Sequence, residues 1–435
     1  MDQLQNDLTA GLAAFATGQI LPSVAAKQVV LLSALDWLAV GVAGAEEPVS
    51  RILRGQANEE GGAPQAHLFG SGLAPTRMAA LVNGTTSHAL DYDDTHFAHI
   101  GHPSVAVFPA ALALAERADT SVAEMLEAAL VGMELSIRVG LWLGRSHYQT
   151  GFHQTATAGA FGATAAAGRL LGLSAQQMGL ALGLAATRAA GLKAQFGTMG
   201  KPYNAGLAAS CGVEVALLVS RGFDSNAASL EGEYGFGTLH AGSGDSVAAL
   251  RGLGQEWLFE NVSHKFHACC HGLHAALEAA RELDLAAPEI AELRVRTHPR
   301  WMSVCNQTAP QTGLGAKFSY KTVLAMRALG YDTARLDSFS DKLCADPRLR
   351  SLRDLVQVEA DDSLSETEAV LTLLRRDGAR KEVHHDLLAP MELPQREARV
   401  REKVETLIGA PRAQAAWQLL RGGGPARDFG RLLSE

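Results

Sequence analysis

The sequence predicts a mainly α protein, with a large all-α helical domain and a smaller α+β lid domain. Two observations carry this. Up to about residue 260, apolar residues recur at i, i+3 and i+4 in alanine- and leucine-rich stretches, broken only by short Gly, Pro or Ser/Thr punctuation. Beyond about residue 275 the texture changes to alternating, more charged segments. The predicted boundaries are 1–265 with 395–435 for the helical domain and 266–394 for the lid.

In the first part, helices are predicted over Lys27–Val42, Pro75–His88, Ser104–Arg117, Val122–Leu143, Ala156–Leu171, Ser174–Ala190 and Asn204–Arg221. Pro75 suits a first helical position, where its missing N–H costs nothing. Ser121 with Glu124, and Ser174 with Gln177, have the spacing of capping boxes. Glycine costs about 1 kcal/mol of helix propensity against alanine. The Gly/Ala-rich faces around residues 158–168 and 179–191 therefore imply helices held by close packing. In the second part, Ile290–Thr297, Leu355–Ala360, Glu368–Arg375 and Arg380–His385 read as strands. The last two are joined at Asp377-Gly378, a hairpin turn. Ala316–Leu329 reads as a helix closed by Gly330, and helix resumes from Gln395.

Composition narrows the function. The 435 residues carry 38 Lys+Arg against 46 Asp+Glu, for a net charge of -8, which gives no reason to bind nucleic acid or an anionic membrane. Five cysteines make no disulfide framework. The apolar stretch Val29–Ala45 is interrupted by Asp36 and preceded by Asp2, Asp7 and Lys27, unlike a signal peptide or a membrane span. A soluble cytoplasmic protein is expected.

Eight of the 15 histidines fall in two short windows. The first runs from His88 through Asp91, Asp93, Asp94, Thr95, His96 and His99 to His102-Pro103-Ser104. The second runs from His264 and Lys265 through His267, Cys269, Cys270 and His271 to His274. Gly151-Phe152-His153 and Gly200-Lys201-Pro202 lie between them. Each is a polar break in apolar helical sequence, where functional sites tend to sit. A metal site is disfavoured, because His96-x-x-His99-x-x-His102 does not fall on one helical face and Pro103 argues for a loop. Asp91, Asp93 and Asp94 are candidates to cap the helix at Ser104, and His88, His99, His264 and His271 are read as structural. Cys269-Cys270 is read as buried hydrophobe. No GxSxG elbow, Walker A loop or strand-flanked GxGxxG is present, so serine hydrolysis and nucleotide chemistry lack support. What remains is acid–base chemistry on a small anion. Histidine moves the proton, an Asp orients it, and Lys201 supplies positive charge.

These residues resemble the MmgE/PrpD family of 2-methylcitrate dehydratases, cis-aconitate decarboxylases and an iminodisuccinate epimerase. The resemblance runs from Asn83-Gly84 through His88-Ala-Leu-Asp91-Tyr-Asp93-Asp94-Thr95, His102-Pro103-Ser104, Gly151-Phe152-His153 and Lys201 to Gly206. It continues in Gly222-Phe223, Leu230-Glu231-Gly232, Lys265 to His274 and Lys317-Phe318-Ser319. It implies a homodimer with a metal-free, cofactor-free site in the cleft between two domains. Asp91, Thr95, His102, His153, Lys201 and His274 fall on active-site positions, with Asp91 orienting His102. Lys265 would be a further cationic contact and Tyr320 a contact to the variable part of the substrate. The expected reaction moves a proton at the carbon next to a carboxylate of a small di- or tricarboxylic acid. A dehydratase-like hydro-lyase leads. An epimerase of an imino- or amino-dicarboxylate is the alternative, favoured by departures from the family pattern at Phe266-His267 and Tyr320. A cis-aconitate-decarboxylase-like lyase is a further alternative, and a binding protein that keeps only the anion pocket is the reading outside enzymology.

Overall fold

A computed structural model describes residues 8–434. Asp2 and Asp7, which enter the expectation of no leader, lie outside the described residues. The chain forms two compact units, Met1–His264 with Val400–Glu435 (unit 1) and Lys265–Arg399 (unit 2).

Unit 1 is helical. Its elements are Leu8–Thr17 (α1), Val24–Gly44 (α2), Pro48–Glu60 (α3), the two-residue strands Ala66–His67 (β1) and Leu73–Ala74 (β2), Thr76–His88 (α4), Ser104–Ala118 (α5), Val122–Thr150 (α6), Gln154–Leu170 (α7), Ala175–Ala186 (α8) and Gly200–Val219 (α9). Ten consecutive residues of α2, Leu32 to Gly41, are buried, so this helix is enclosed on every side. Trp37 anchors it by packing on Phe69 and Phe108, with ring centroids 5.0 and 5.7 Å apart. By length and composition α2 and α9 could each cross a membrane. However, 72% of the apolar window of each is buried, as in core helices.

Local chemistry sets several of these ends. Both predicted capping boxes form, at Ser121/Glu124 and Ser174/Gln177. Ser121→Ala should lower stability by about 1 kcal/mol, read as a lower urea midpoint at unchanged slope. The regular part of α6 stops where the sequence predicts, since Gly144 has non-helical angles (φ 69°) after Leu143. Pro75 sits one residue earlier than expected, as the N-cap of α4. The helix expected to reach Ala190 ends at Ala186. The predicted run of helices also gives out after α9. Between Arg221 and Ser263 the chain makes only short turns of helix, such as Phe236–Leu239 and Ser246–Leu250.

Unit 2 is α+β. Its sheet has the order β4-β3-β5-β6, from Ile290–Thr297 (β3), Val356–Ala360 (β4), Glu368–Arg375 (β5) and Arg380–Asp386 (β6). β3 pairs parallel with β4 and antiparallel with β5, and β5–β6 is the predicted hairpin, turning at Asp377-Gly378 with Gly378 at φ 88°. The helix expected from Ala316 begins only at Tyr320, because the Ser319 side chain accepts the Thr322 N–H and caps it there.

Candidate active site

The site residues of unit 1 converge because two helices touch backbone to backbone. A Cβ on Gly84 of α4 would lie 2.9 Å from the Gly206 Cα of α9, and one on Gly206 would lie 2.3 Å from Leu81 O. Only glycine permits this approach. It brings the C-terminal end of α4, with His88, beside the start of α9, with Lys201 and Asn204. Lys201 is therefore in the first turn of a helix rather than in the polar break read from sequence.

The loop from α4 to α5 carries the rest. Asp91 adopts φ 51°, a left-handed conformation that aspartate tolerates better than most residues. Thr95 pairs with Ser263 through both backbone groups, at 2.9 and 2.7 Å. Of the three candidate caps, Asp94 takes the role. Its Oδ2 accepts the Ser104 hydroxyl proton at 2.6 Å, and its Oδ1 accepts the Ser104 N–H at 3.3 Å.

At the centre is Asp93, fully buried, with one histidine on each oxygen. His88 Nδ1 lies 2.9 Å from Oδ1 and His102 Nδ1 lies 2.8 Å from Oδ2. Burial works to raise the Asp93 pKa, but the His88 and His102 rings and their hydrogen bonds outweigh it and hold the carboxyl well below its ordinary range. Sequence reasoning assigned the orienting of His102 to Asp91. The structure gives that place to Asp93, because Asp91 stands 3.5 Å from His102 Nε2 and is drawn to Lys201 Nζ at 2.7 Å. His102 thus turns Nδ1–H to one carboxylate and Nε2 toward the Asp91–Lys201 pair. His88, read as structural, shares the same anchor, and its Nε2 is buried with no hydrogen-bond partner among the described residues.

His153, the N-cap of α7, stacks on His88 with centroids 6.0 Å apart. Asn204, which sequence reasoning missed, sets its tautomer. The amide nitrogen faces both His153 Nδ1 at 3.2 Å and the Leu192 carbonyl at 3.4 Å, and the carbonyl can only accept. The amide therefore donates to Nδ1, and the proton of the neutral ring sits on Nε2. Burial, then the nearby His88, Lys201 and His102, keep the His153 pKa well below its usual value. His153 is a neutral donor, not a standing positive charge.

His88, Asp91, Asp93 and His102 place one ligand atom each within 4.8 Å of one another, close enough for a metal ion. The two Nδ1 atoms and the two carboxylates already have partners. Two imidazole N–H groups face Asp93, and an ammonium faces Asp91, so a metal would have to displace these.

Beside the cluster, burial, with help from Asp36 and Asp93, pushes the Asp94 carboxyl up to about 7 against hydrogen bonds from Ser104 and Ser33. A raised native pKa means that the folded chain holds a proton the unfolded chain releases. The stability from this group is full below the ordinary value of 3.8 and is lost as pH rises to about 7. Asp94→Asn should therefore gain on wild type by a few kcal/mol between pH 4 and 8 in urea unfolding. A constant difference across that range would contradict the assignment.

In unit 2, His274 opens the helix His274–Arg281. Its Nε2 lies 3.3 Å from the Cys269 carbonyl, and its ring packs edge-on against His267 and His271, at 5.1 and 4.8 Å. Burial, then His271, His267 and Lys265, hold its pKa well below the usual value, so the ring is neutral with Nδ1 as the acceptor. Lys265 is buried. Tyr320 does not fit the role of substrate contact. It is fully buried, and its hydroxyl donates to the Gly272 carbonyl at 2.6 Å and pairs with Thr297 Oγ1 at 2.9 Å. Its hydrogen-bonding capacity is spent inside unit 2.

Comparison with known proteins identifies the family. Residues 10–247 match the MmgE/PrpD N-terminal domain and residues 267–420 the MmgE/PrpD C-terminal domain. The chain belongs to the MmgE/PrpD family. The Asp91–Ser104 loop, His153 and Lys201 all lie in the N-terminal match, while Lys265 falls between the two. Among MmgE/PrpD relatives, a cis-aconitate decarboxylase of Aspergillus terreus is 32% identical over 297 residues, covering 65% of this chain and 60% of that protein. The cis-aconitate decarboxylase of Homo sapiens is 36% identical over 172 residues, 38% of this chain and 36% of its own length. That of Mus musculus is 29% identical over 302 residues, 66% of this chain and 61% of its own. The alignments thus span about three-fifths or less of these relatives.

Proposed function

We propose that this MmgE/PrpD protein is a cofactor-independent lyase acting next to a carboxylate of a small polycarboxylic acid, with decarboxylation of a cis-aconitate-like unsaturated tricarboxylate as its leading reaction. The observation that carries the reading is the relay Asp93–His102 beside Asp91–Lys201. Asp93 is fixed to Nδ1 of His102, which leaves Nε2 to give and take the reacting proton. Lys201, 2.7 Å from Asp91, is the cation that a substrate carboxylate competes for.

The charge balance indicates the direction of proton movement. The charged groups around His102 in unit 1 are Asp91, Asp93 and Lys201, two carboxylates against one ammonium. A polycarboxylate entering there is favoured when His102 carries a proton, so the bound state is poised to deliver one. In the decarboxylation the bond from carbon to one carboxylate breaks and carbon dioxide leaves. The electron pair moves into the allylic system, and His102 protonates its far carbon. One proton is consumed per carbon dioxide released, and water restores it to His102. His153 Nε2–H is the neutral donor for the developing charge. From unit 2, Lys265 and His274 enter the proposal as substrate contacts on the family resemblance, as do a homodimeric assembly and a cytoplasmic setting.

Dehydration of a hydroxy-tricarboxylate is the second reading. It is favoured by the presence of both a proton acceptor at His102 Nε2 and a neutral N–H donor at His153 in one site, the pair that removal of water requires.

Proton NMR of the purified protein in deuterium oxide with EDTA present tests both, using 2-methylcitrate, citrate, cis-aconitate, tartrate and iminodisuccinate. Loss of a carboxylate from cis-aconitate with deuterium at the new C–H supports the decarboxylase. An alkene formed from a hydroxy acid supports the dehydratase instead. Inversion at the α-carbon with nothing lost transfers the reading to an epimerase. No exchange at any C–H overturns the enzymatic reading for these acids, and activity only on adding a metal overturns cofactor independence.

A further inference from the structure

Unit 2 holds a cysteine pair that the proposed reaction does not use. The Cys305 thiol donates toward Cys270 Sγ across 3.2 Å, and no disulfide is formed among the described residues. The two cysteines are 35 positions apart in sequence and are brought together by a shared support. The Cys270 N–H donates to the Lys317 carbonyl at 3.0 Å, and the Cys305 carbonyl accepts the Tyr320 N–H at 3.2 Å, so both are strapped to the segment 317–320. The Tyr320 hydroxyl holds the Gly272 carbonyl at 2.6 Å, and a Cβ on Gly272 would come within 2.5 Å of the Trp301 ring. These contacts fix the turn at residues 270–272 against the short helix Arg300–Val304 that precedes Cys305.

We propose that Cys270 and Cys305 form a reversible disulfide when the protein meets a peroxide. The two sulfurs differ in a way that assigns their roles. Cys305 is fully buried and is the thiol donor of the pair, whereas Cys270 is partly exposed and is the acceptor. The sulfur of the partly exposed Cys270 attacks the peroxide O–O bond, giving a sulfenic acid at Cys270 and releasing the other oxygen as water. The Cys305 sulfur then attacks the Cys270 sulfur. The S–O bond breaks, and the hydroxyl leaves with the Cys305 thiol proton as a second water. Two thiols lose two electrons, peroxide gains them, and a dithiol reductant reverses the change. Sulfurs already 3.2 Å apart need only a small approach to reach bonding distance of about 2.05 Å. Intracellular disulfides of this kind are transient and redox-sensing rather than structural.

The location gives the disulfide a consequence. Cys270 lies between Cys269, whose carbonyl faces His274 Nε2, and His271, whose ring packs on that of His274. A covalent tie at Cys270 would stiffen the turn from which His274 projects.

The test is non-reducing peptide mapping of the full-length protein after brief treatment with hydrogen peroxide. The expected result is an intact mass lower by two hydrogens, a peptide linking Cys270 to Cys305, and full return of both thiols on reduction. In Cys305→Ser, Cys270 should lose its partner and run on to sulfinic acid. In Cys270→Ser, the buried Cys305 should stay reduced. Circular dichroism of both variants checks that they fold, and Cys305→Ala serves if the serine is not tolerated. A link between Cys269 and Cys270, or over-oxidation of Cys270 in the wild type with no cross-link, overturns the proposal. The mapping does not depend on turnover, so its failure is separable from failure of the lyase reading.

Discussion

His102→Ala is expected to lower kcat by about two to four orders of magnitude while leaving the far-ultraviolet circular dichroism and the urea midpoint close to wild type. The size of the loss follows from where the ring sits. Nδ1 is committed to Asp93 at 2.8 Å, and Nε2 is turned toward the Asp91–Lys201 pair. No other imidazole presents a carboxylate-backed Nε2 toward that pair among the described residues of unit 1. His88 shares the Asp93 carboxylate but is almost fully buried, and His153 is held by Asn204 with its proton on Nε2. The fold should tolerate the change because Asp93 keeps its bond to His88. Asp93→Asn separates positioning from proton transfer. The amide keeps the shape, but the two imidazole N–H groups face different oxygens, and one of these becomes an NH2 that cannot accept. The variant should therefore lose kcat and shift its pH–rate profile, with KM less affected. Near-normal kinetics for His102→Ala would remove His102 from the reaction. An unshifted profile for Asp93→Asn would leave Asp93 only a structural part.

How much of this was legible in the sequence depended on whether the deciding interaction was local. The ends of α6 and α8 and the β5–β6 turn were readable because Ser121/Glu124, Ser174/Gln177 and Asp377-Gly378 act within a few residues of themselves. The start of the helix at Tyr320 was not, because Ser319 caps it only when its own backbone is extended, as its φ of -135° is here, and contacts distant in sequence decide that. The stretch from Arg221 to Ser263 failed because its eight glycines break it into short turns, and few of its apolar residues are buried, with Tyr234, Leu239 and Val247 well exposed. In the site, Asp91, His102 and Lys201 stood out as polar breaks in apolar sequence, and the structure brings all three into contact. Asp93 did not stand out as the orienting group. Which of three neighbouring aspartates faces a histidine depends on the left-handed turn at Asp91 and on Asp94 being taken by Ser104. His88 looked like one more core histidine, and in burial it is one. Only the glycine contact between α4 and α9 reveals what it is buried beside.

The largest stability effect is expected at a residue far along the chain from the site loop. Lys403→Met should destabilise the protein by about 3–5 kcal/mol, read as a lower urea midpoint. Lys403 Nζ lies 2.6 Å from Asp36 Oδ1, and the two side chains are 2% and 1% exposed. The ammonium also donates to the Tyr92 carbonyl at 2.7 Å and sits 4.0 Å from the centre of the Tyr92 ring. Truncating the cation leaves a carboxylate in the enclosed middle of α2 without its ammonium, and that uncompensated charge is the main cost. Adding Asp36→Asn should restore most of the lost stability, because the double variant buries no charge at this point. The bond to Tyr92 remains lost in the double variant. Tyr92 stands between Asp91 and Asp93, so the loop that aims both carboxylates would lose its tie to the C-terminal segment. The double variant should thus recover its urea midpoint but keep a lowered kcat/KM. Recovery of both would confine Lys403 to neutralising Asp36, and recovery of neither would show that the Tyr92 contact dominates stability as well.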